Sequence, residues 1–286
     1  MAEFWEQGLI LKVLAGSRAH GLATPQSDTD TRGVCIPSRR FLLGLSSFEQ
    51  HVSDDGDHVV WALRKFVNLA CKGNPNIIEV LYTDPRHQLH LDPLGEALLA
   101  HRGLFLTRQV GASFMRYAEQ QLGRIERHYR WLSDPPTGQP HPSEFGGLER
   151  RGGYRFPDTA AEKAYRSAMK HWTAYRTWRR DRNPVRAALE EQHGYDTKHA
   201  MHLCRLLRMG REILDEGEVR VLRPDAEWLQ GVRNGALPYP ELLAMAGQLV
   251  ADLPGLTLAS TLPDQPDRAA AEALVIELHE RFLARG

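Results

Sequence analysis

The first hundred residues alternate between short apolar runs and turn-forming residues, which is typical of a mixed α/β domain. Residues 9–15 form an apolar run that ends in glycine, as a buried strand would. A second strand is predicted from near Ser27 to Pro37. A third is predicted over 57–62, which is rich in β-branched and aromatic residues. Apolar positions over 63–71 have helical spacing and predict a helix after the third strand.

Beyond residue 95 the apolar positions recur mainly at helical intervals. Helices are predicted over 104–131, from a capping box at Thr159–Glu162, from Asp196 or Thr197 to about 215, and over 268–285. The interval near 133–157 is rich in proline and glycine and predicts a loop or a mobile insertion. Residues 77–82 fit a short helix and a strand equally well. The pattern therefore predicts an α+β domain over 1–100, followed by a mainly helical domain over 101–286.

Composition places the chain among ordinary globular proteins. Of 286 residues, 42% are hydrophobic and 25% are charged, which is enough to form a core and argues against disorder. The three cysteines lie far apart, so they predict neither a disulfide framework nor a zinc site. No apolar run approaches a membrane span, and the N-terminus lacks the order of a signal peptide. We expect a soluble cytoplasmic protein with no membrane partner.

The net charge of zero conceals a basic middle. Residues 102–211 contain 21 Lys and Arg against 11 Asp and Glu, whereas both flanking segments are acidic. A surface dense in arginine attracts phosphate, so this segment favours a nucleotide or nucleic-acid ligand. The alternative is a solvated face whose charges pair with the acidic ends.

Gly16 and Ser17 follow the first predicted strand and precede a short predicted helix. Glycine allows backbone amides to approach an anion closely, and a helix N-terminus presents free N–H groups. The Ser17 hydroxyl would be an additional donor. This arrangement predicts a phosphate-binding turn, although a Gly-Ser turn alone has little specificity.

Asp28 and Asp30 are two residues apart on the second predicted strand, so their carboxylates would share one face. Unpaired carboxylates on one face repel each other, and a divalent cation removes that repulsion. Hard oxygen ligands suit Mg²⁺ or Mn²⁺, which also bind substrate phosphates. An Asp-x-Asp pair alone is more often a turn or a helix cap. Ten residues after a Gly-Ser turn, it is far more specific.

The Gly-Ser turn followed ten residues later by Asp-x-Asp resembles the signature of the DNA polymerase beta-type nucleotidyltransferase superfamily. Three stretches resemble more narrowly the RlaP-type nucleotidyltransferases associated with RNA repair: GSRAHGLATPQSDTDTRGV, KFVNLACKGNPNIIEVL and GYDTKHAMHLCRLLRMGREIL. The resemblance implies a small mixed sheet with helices, a helical domain after it, and an NTP bound between them. It thus implies that residues 1–100 are the nucleotidyltransferase catalytic domain.

The same resemblance implies roles for individual residues. Gly16 and Ser17 would hold the triphosphate, and Asp28 and Asp30 would bind the metals. The superfamily adds a third carboxylate that deprotonates or orients the acceptor hydroxyl. Asp57 is our choice for it, so the predicted catalytic and metal-binding set is Asp28, Asp30 and Asp57. Asp54, Asp55 and Glu79 are alternatives for the third position, and Glu79 could instead fix local structure.

Several basic residues are candidates for binding the nucleotide. Lys198, His202 and Arg205 fall on one stripe of a predicted helix, where they would neutralise phosphates or an RNA backbone. Solvation of a basic helix face is the alternative. Arg18 and Arg32 flank the acidic pair and fit either phosphate binding or an internal ion pair.

Weaker candidates and aromatic residues complete the prediction. Lys65 and Asn74 could line the cleft, although turn chemistry alone accounts for Asn74. Aromatic residues between 165 and 178 alternate with arginines, a pattern that fits base stacking but more often indicates core. His199 lies near the apolar side of its helix, where an interior hydrogen bond explains it as well as ligand contact does. His128 has no metal-ligand spacing in the sequence.

The sequence thus predicts a nucleotidyltransferase that depends on Mg²⁺ or Mn²⁺, takes an NTP as substrate and releases pyrophosphate. An RNA end is the leading acceptor because of the basic middle. One alternative is nucleotidylation of a protein or a small molecule. Another is a non-catalytic nucleic-acid-binding regulator that retains the fold.

Overall fold

The structure is a computed structural model that describes residues 5–285, apart from the side chain of Val185. Residues 1–4, within the segment inspected for a signal peptide, lie outside the described part. Two compact units divide the chain: residues 1–120 with 201–286, and residues 121–200. This grouping differs from the predicted division at residue 100. The assignment of the catalytic domain to residues 1–100 and of the helical domain to residues 101–286 stays a prediction.

The first unit contains a mixed five-stranded sheet in the order β3-β4-β2-β1-β5. Its strands are β1 (Leu9–Leu14), β2 (Thr31–Cys35), β3 (Gln50–Val52), β4 (His58–Ala62) and β5 (Gln88–Leu91). The neighbours β2 and β4 run parallel, and the other pairs are antiparallel. Since parallel neighbours begin at the same edge, the residues that precede β2 and β4 lie side by side.

Short and medium helices complete the first part of this unit. They are α1 (Gly16–Ala19), α2 (Arg39–Leu43), α3 (Leu63–Ala70), α4 (Pro75–Leu81) and α5 (Pro93–Ala100). Residues 77–82, which were ambiguous in sequence, are therefore mostly helical. Asn74 caps α4 by accepting a hydrogen bond from the Asn76 backbone N–H at 3.0 Å, so its contact in the structure is the turn chemistry.

The remaining helices are α6 (Arg108–Ser133), α7 (Thr159–Arg180), α8 (Pro184–His193), α9 (Thr197–Glu216), α10 (Ala226–Arg233), α11 (Tyr239–Ala259) and α12 (Arg268–Leu283). The division between the units falls within α6 and α9. Of the two predicted caps of α9, Asp196 and Thr197, the structure shows Asp196, which accepts from the His199 backbone N–H. The cap of α7 is Asp158, which accepts from the Ala161 N–H, so the predicted Thr159 capping box is wrong.

Three further sequence predictions need correction. The second strand begins at Thr31 and not near Ser27, and the third begins at His58. The predicted loop near 133–157 contains a β-hairpin, β6 (Leu148–Arg150) and β7 (Gly153–Arg155). The two short strands lack the alternation of hydrophobic and polar residues from which a strand is predicted, so the sequence did not indicate this hairpin.

One described helix, α11, is long and apolar enough to cross a membrane, with a mean hydropathy of 1.4 over its best window. The stretch contains Glu241, Gln248 and Asp252, so it is not the uninterrupted apolar run that the prediction required. Core helices of water-soluble proteins pass the same test, so the absence of a membrane partner stays a prediction.

The core of the first unit lies around the sheet and its helices. β1 contributes Ile10, Leu11 and Val13, all almost fully buried. Phe66 in α3 and Ile78 in α4 are fully buried too. Burying these side chains holds the turn after β1 in place, because the turn is anchored to a strand that cannot shift without exposing its apolar residues.

Candidate active site

The turn after β1 depends on a glycine at position 16. Gly16 has φ +59°, a conformation that other residues adopt at a cost. A Cβ placed on Gly16 would lie 2.2 Å from Oδ2 of Asp30. The absence of a side chain at Gly16 therefore lets the Asp30 carboxylate pack against the backbone of the turn.

Asp28 and Asp30 lie in the segment that leads into β2. The prediction that they lie on the strand itself is wrong. The backbone N–H of Ala15 donates to the Asp30 carbonyl at 2.9 Å, which joins this segment to the turn. Asp28 is exposed, and Asp30 is half-buried. Both carboxylates therefore lie at the surface beside the start of α1, where a ligand can reach them.

Asp57 occupies the equivalent position before β4. Its carbonyl accepts a hydrogen bond from the Thr31 N–H at 2.9 Å, so it lies next to the segment that contains Asp30. The pKa of Asp57 is raised by the partial desolvation of its carboxyl and by repulsion from the carboxylates of Asp55, Asp30 and Asp28. The structure thus brings the three predicted acids to one edge of the sheet.

The alternatives Asp54 and Asp55 differ from Asp57 in their surroundings. The Asp55 carboxylate accepts hydrogen bonds from the Ser53 hydroxyl and from the Asp57 N–H, which lowers the pKa of Asp55. Asp55 therefore shapes the turn before β4. Asp54 is exposed. Of the acids near this turn, Asp57 is the one whose pKa is raised by both Asp28 and Asp30.

Arg32 connects the two acidic segments. One of its terminal nitrogens donates to the Asp57 carbonyl at 2.6 Å and to the Thr31 carbonyl at 2.9 Å. The other lies 3.6 Å from Oδ1 of Asp30. This contact is long and leaves the second carboxylate oxygen of Asp30 on the side of Gly16, so Arg32 does not occupy the whole carboxylate.

Arg18 stabilises the backbone that leads to the acids. Its Nε donates to the Asp28 carbonyl at 3.2 Å, and its terminal nitrogen donates to the Ser27 carbonyl at 3.0 Å. The side chain of Asp28 is not one of these acceptors. Arg18 is therefore a support for the loop, and contact between Arg18 and phosphate stays a prediction.

Glu79 belongs to a buried network inside the first unit. Its carboxylate pairs with Arg205, and its Oε2 lies 3.6 Å from Nε2 of His20. Burial alone would raise the pKa of Glu79, but the positive charge of Arg205 outweighs it, and the pKa is lowered. Glu79 thus has the structural role that the sequence analysis left open beside a metal-binding one.

His20 completes this network. Its Nδ1 is 3.1 Å from the Val221 carbonyl, which fixes the proton of the neutral ring on Nδ1. Burial lowers the pKa of His20 to about 4, and Arg205 adds to that effect. His20 is therefore neutral near pH 7, and it connects the turn after β1 to the chain around residue 221.

The predicted basic stripe on α9 has three different environments. The side chain of Arg205 is 4% exposed and donates to Glu79, so it is not part of a solvated ridge. His202 is half-buried, with Nδ1 3.2 Å from Arg205. Lys198, which belongs to the second unit, is exposed. Lys65 donates to Glu49 at 2.9 Å in an exposed pair. Binding of nucleotide by these four residues stays a prediction.

The carboxylate set has the donor chemistry that Mg²⁺ and Mn²⁺ prefer, because all of its ligands are hard oxygens. The charges of Asp28 and Asp30 raise the pKa of Asp57, and a cation bound beside these carboxylates would offset that repulsion. The neighbouring turn presents backbone N–H groups that suit a phosphate. The arrangement can therefore hold a metal-bound triphosphate next to a carboxylate with a raised pKa.

Sequence reasoning missed a second polar cluster, which lies in the other unit. His128, Asp196 and His199 each offer a ligand atom within 4.8 Å of the others. The His128 ligand comes from α6, almost 70 residues before the other two, so no local spacing reveals it. The sequence contained two signals, the predicted cap at the start of α9 and the position of His199 near the apolar side of that helix.

The mixed sheet, the Gly-Ser turn after its first strand and the acids beside it are consistent with a polymerase beta-like domain followed by a helical region. Residues 2–133 match the model of the RlaP family, described as an RNA repair pathway DNA polymerase beta family. This match confirms the resemblance found in the sequence. The match supports a general nucleotidyltransferase activity.

Two curated relatives are similar to parts of the chain. An uncharacterised 38.9 kDa protein of Enterobacteria phage T4, from the nrdC-mobD intergenic region, is 26% identical over 129 residues. That alignment covers 40% of this chain and 38% of the phage protein. The uncharacterised protein YcgL of Bacillus subtilis strain 168 is 31% identical over 80 residues, or 27% of this chain and 31% of the relative. The chain thus spans about a third of the length of these relatives. No solved structure matches the chain.

Proposed function

We propose that the protein transfers an NMP from an NTP to an acceptor hydroxyl in a reaction that requires Mg²⁺ or Mn²⁺. The observation that carries the proposal is the position of Asp28, Asp30 and Asp57 at one edge of the sheet, where the charges of Asp28 and Asp30 raise the pKa of Asp57 and Asp30 packs against Gly16. A purely structural role does not account for like charges placed together at the end of a sheet. Asp28 and Asp30 would bind the metal, and Asp57 would complete the site.

The residues of the chain would act mainly by position. The N–H groups at Gly16 and Ser17 would hold the triphosphate, and Asp57 would accept the proton of the acceptor hydroxyl. A carboxylate whose pKa is raised accepts a proton more readily than an ordinary one. The hydroxyl oxygen would attack the α-phosphorus, the bond to the bridging oxygen would break, and pyrophosphate would leave with the electron pair. Bound divalent ions would supply charge neutralisation on the phosphates.

The proposed acceptor is an RNA end. The second unit presents an open depression of about 760 Å³ on α7 whose lining includes the indole of Trp172 and the arginines Arg176 and Arg179. Arg176 and Arg179 are exposed, and Trp172 is half-buried. An aromatic ring beside arginines suits a nucleic-acid strand, because bases stack on the ring while the cations contact phosphate. The name of the matched family also mentions an RNA repair pathway.

Label transfer tests this proposal. The protein is incubated with each of four α-³²P-labelled NTPs, with Mg²⁺ or Mn²⁺, and with RNA, DNA or cell protein as acceptor. We expect label on RNA, and loss of that label in Asp28→Asn combined with Asp30→Asn. Label on protein or on a small molecule would overturn the RNA acceptor but keep the chemistry. No pyrophosphate release with any acceptor would favour the non-catalytic regulator.

A paired variant tests the acceptor surface separately. Arg176→Ala with Arg179→Ala should weaken RNA binding and reduce its salt dependence, since each phosphate contact contributes to the salt slope. Arg166→Ala is the control, because Arg166 lies on the same helix but pairs with Glu162. Equal RNA binding by the paired variant and the control would contradict this part of the proposal.

A further inference from the structure

The second unit contains a compact group of metal-ligating side chains apart from the three aspartates. His128 comes from α6, and Asp196 and His199 come from the start of α9. One ligand atom of each lies within 4.8 Å of the others. Asp196 and His199 are buried, and His128 is half-buried. Among the residues that the structure describes, this is the group of three that meets that distance.

One buried imidazole nitrogen in this group, Nδ1 of His128, lacks a hydrogen-bond partner among the described residues. Oε1 of Glu190 lies 4.0 Å from it, beyond hydrogen-bond distance. His199 Nδ1 lies 2.8 Å from Oδ2 of Asp196, so these two ligand atoms are already held together. A buried polar atom without a partner costs free energy, so His128 Nδ1 points to a ligand that the chain itself does not supply.

The surroundings hold the group in place. The His128 ring stacks on Trp131, with centroids 5.5 Å apart, and lies 5.4 Å from the ring of Trp178. The other carboxylate oxygen of Asp196, Oδ1, accepts the His199 backbone N–H at 2.9 Å. Aromatic packing and a helix cap thus fix two of the three ligands before any ion binds, which lowers the cost of forming a site.

Arg186 is a competitor for the same position. Its terminal nitrogen lies 2.9 Å from Nε2 of His199 and 3.7 Å from Oδ2 of Asp196. The Arg186 side chain is 37% exposed, so it can turn into solvent. A cation held by these ligands would be repelled by the guanidinium, so the present position of Arg186 weakens ion binding.

We propose that His128, Asp196 and His199 form a binding site for a divalent transition metal ion, with Zn²⁺ as the favoured ion, and that the positive charge of Arg186 opposes binding of the ion. Two imidazoles and one carboxylate are the donor set of many Zn²⁺ sites, with water as the fourth ligand. Mg²⁺ prefers an all-oxygen set, so the site is selective against the ion expected at the three aspartates. The bound ion would join α6 to the start of α9 within the second unit.

Metal titration of the full chain tests the site. EDTA-treated protein is titrated with Zn²⁺ against a chromophoric chelator, and Co²⁺ is used to record visible absorption bands. The background is Asp28→Asn with Asp30→Asn, which removes the aspartate site. We expect one Zn²⁺ per chain, a Co²⁺ spectrum of a four- or five-coordinate ion, and an affinity that excess Mg²⁺ does not change.

Three variants and a control decide the assignment. His128→Ala and His199→Ala should weaken Zn²⁺ binding by more than about 100-fold, because each removes a ligand. His193→Ala, a histidine of the same unit outside the group, should bind as the parent does. Arg186→Gln should tighten binding by about tenfold, because it removes a competing charge at an exposed side chain.

The contrary results are equally definite. Equal affinity in His128→Ala, His199→Ala and His193→Ala would overturn the site. Weaker binding in Arg186→Gln would overturn the competition, and this variant keeps the test decisive if the histidine variants do not fold. These results are independent of nucleotidyl transfer, because the background variant already lacks that site.

Discussion

The carboxylate of Asp30 packs against the backbone of Gly16, so closely that a methyl group on Gly16 would lie 2.2 Å from Asp30 Oδ2. The glycine of the proposed phosphate-binding turn and an acid of the proposed metal site therefore depend on each other. One residue type at position 16 serves two purposes, because it permits φ +59° and leaves room for the carboxylate.

Comparison of Gly16→Ala with a control glycine variant should separate loss of the contact with Asp30 from backbone strain alone. We expect transferase activity to fall by more than about 100-fold, because misplacing a catalytic group by about 1 Å costs that much. Gly152→Ala is the matched control, since Gly152 also has a positive φ of 92° and its added methyl would meet nothing within 4 Å. Both variants should lose roughly 1 kcal/mol of stability from strain. Equal activity in the two variants would contradict the proposed contact.

The identity of the third acid can be tested by comparing aspartates of one turn. Asp57→Asn should reduce kcat by about 100-fold or more with little change in KM for the NTP, since general-base roles typically contribute 10²–10⁴-fold. Asp54→Asn should retain activity, because Asp54 is exposed and is not among the charges that raise the pKa of Asp57. Loss of activity in Asp54→Asn with full activity in Asp57→Asn would reverse the assignment.

Glu79 should behave as a structural residue. Glu79→Gln leaves the buried Arg205 without its counter-charge, so the free energy of unfolding should fall by about 3 kcal/mol. Glu49→Gln, which breaks the exposed pair with Lys65, should cost at most about 1 kcal/mol. Urea unfolding measures both. A Glu79→Gln variant of normal stability that has lost its response to metal would instead make Glu79 a metal ligand.

Stability should also depend on pH through His20. Burial lowers its pKa to about 4 in the folded protein, against 6.5 for an unburied histidine, so the unfolded chain binds more protons between these values. The contribution of His20 is therefore complete above about pH 6.5 and is lost as pH falls towards 4. Roughly 2–3 kcal/mol should be lost over that range, as judged from 1.4 kcal/mol per pKa unit.

Urea unfolding at pH 7, 6, 5 and 4 measures this effect. His20→Gln should show a flatter dependence than the parent between pH 6.5 and 4, because glutamine does not titrate. Glu79, whose pKa is lowered, should affect stability only at pH below its ordinary value of 4.5. Parallel curves for the parent and His20→Gln would contradict the assignment of this pH window to His20.

Local chemistry explains why part of this structure was predictable. Gly16-Ser17 and Asp28-Thr29-Asp30 are contiguous motifs, and each owes its position to one strand boundary. Their association follows from chain order, and the family match confirms the resemblance that they carry. The cap at Asp196 was predictable for the same reason, since a cap needs only the residues of one helix start.

Long-range pairing explains the rest. Arg205 is buried because it pairs with Glu79, which lies 126 positions earlier in the chain. The spacing of residues along the helix cannot reveal a partner so far away. The strand β5 has only four residues, too few for a clear pattern of its own, so it is recognised only through its pairing with β1. The cluster of His128 with Asp196 and His199 likewise requires the fold before it can be recognised.

The central claim is that Asp28, Asp30 and Asp57 share divalent ions beside the Gly16 turn. A crystal soaked with Mn²⁺ and a non-hydrolysable NTP tests it most directly, because anomalous scattering locates Mn²⁺. We predict Mn²⁺ within about 2.0–2.4 Å of oxygens from all three carboxylates, with the triphosphate against the N–H groups of residues 16 and 17. Mn²⁺ bound elsewhere, or the three carboxylates turned away to arginine side chains with nucleotide present, would contradict the account.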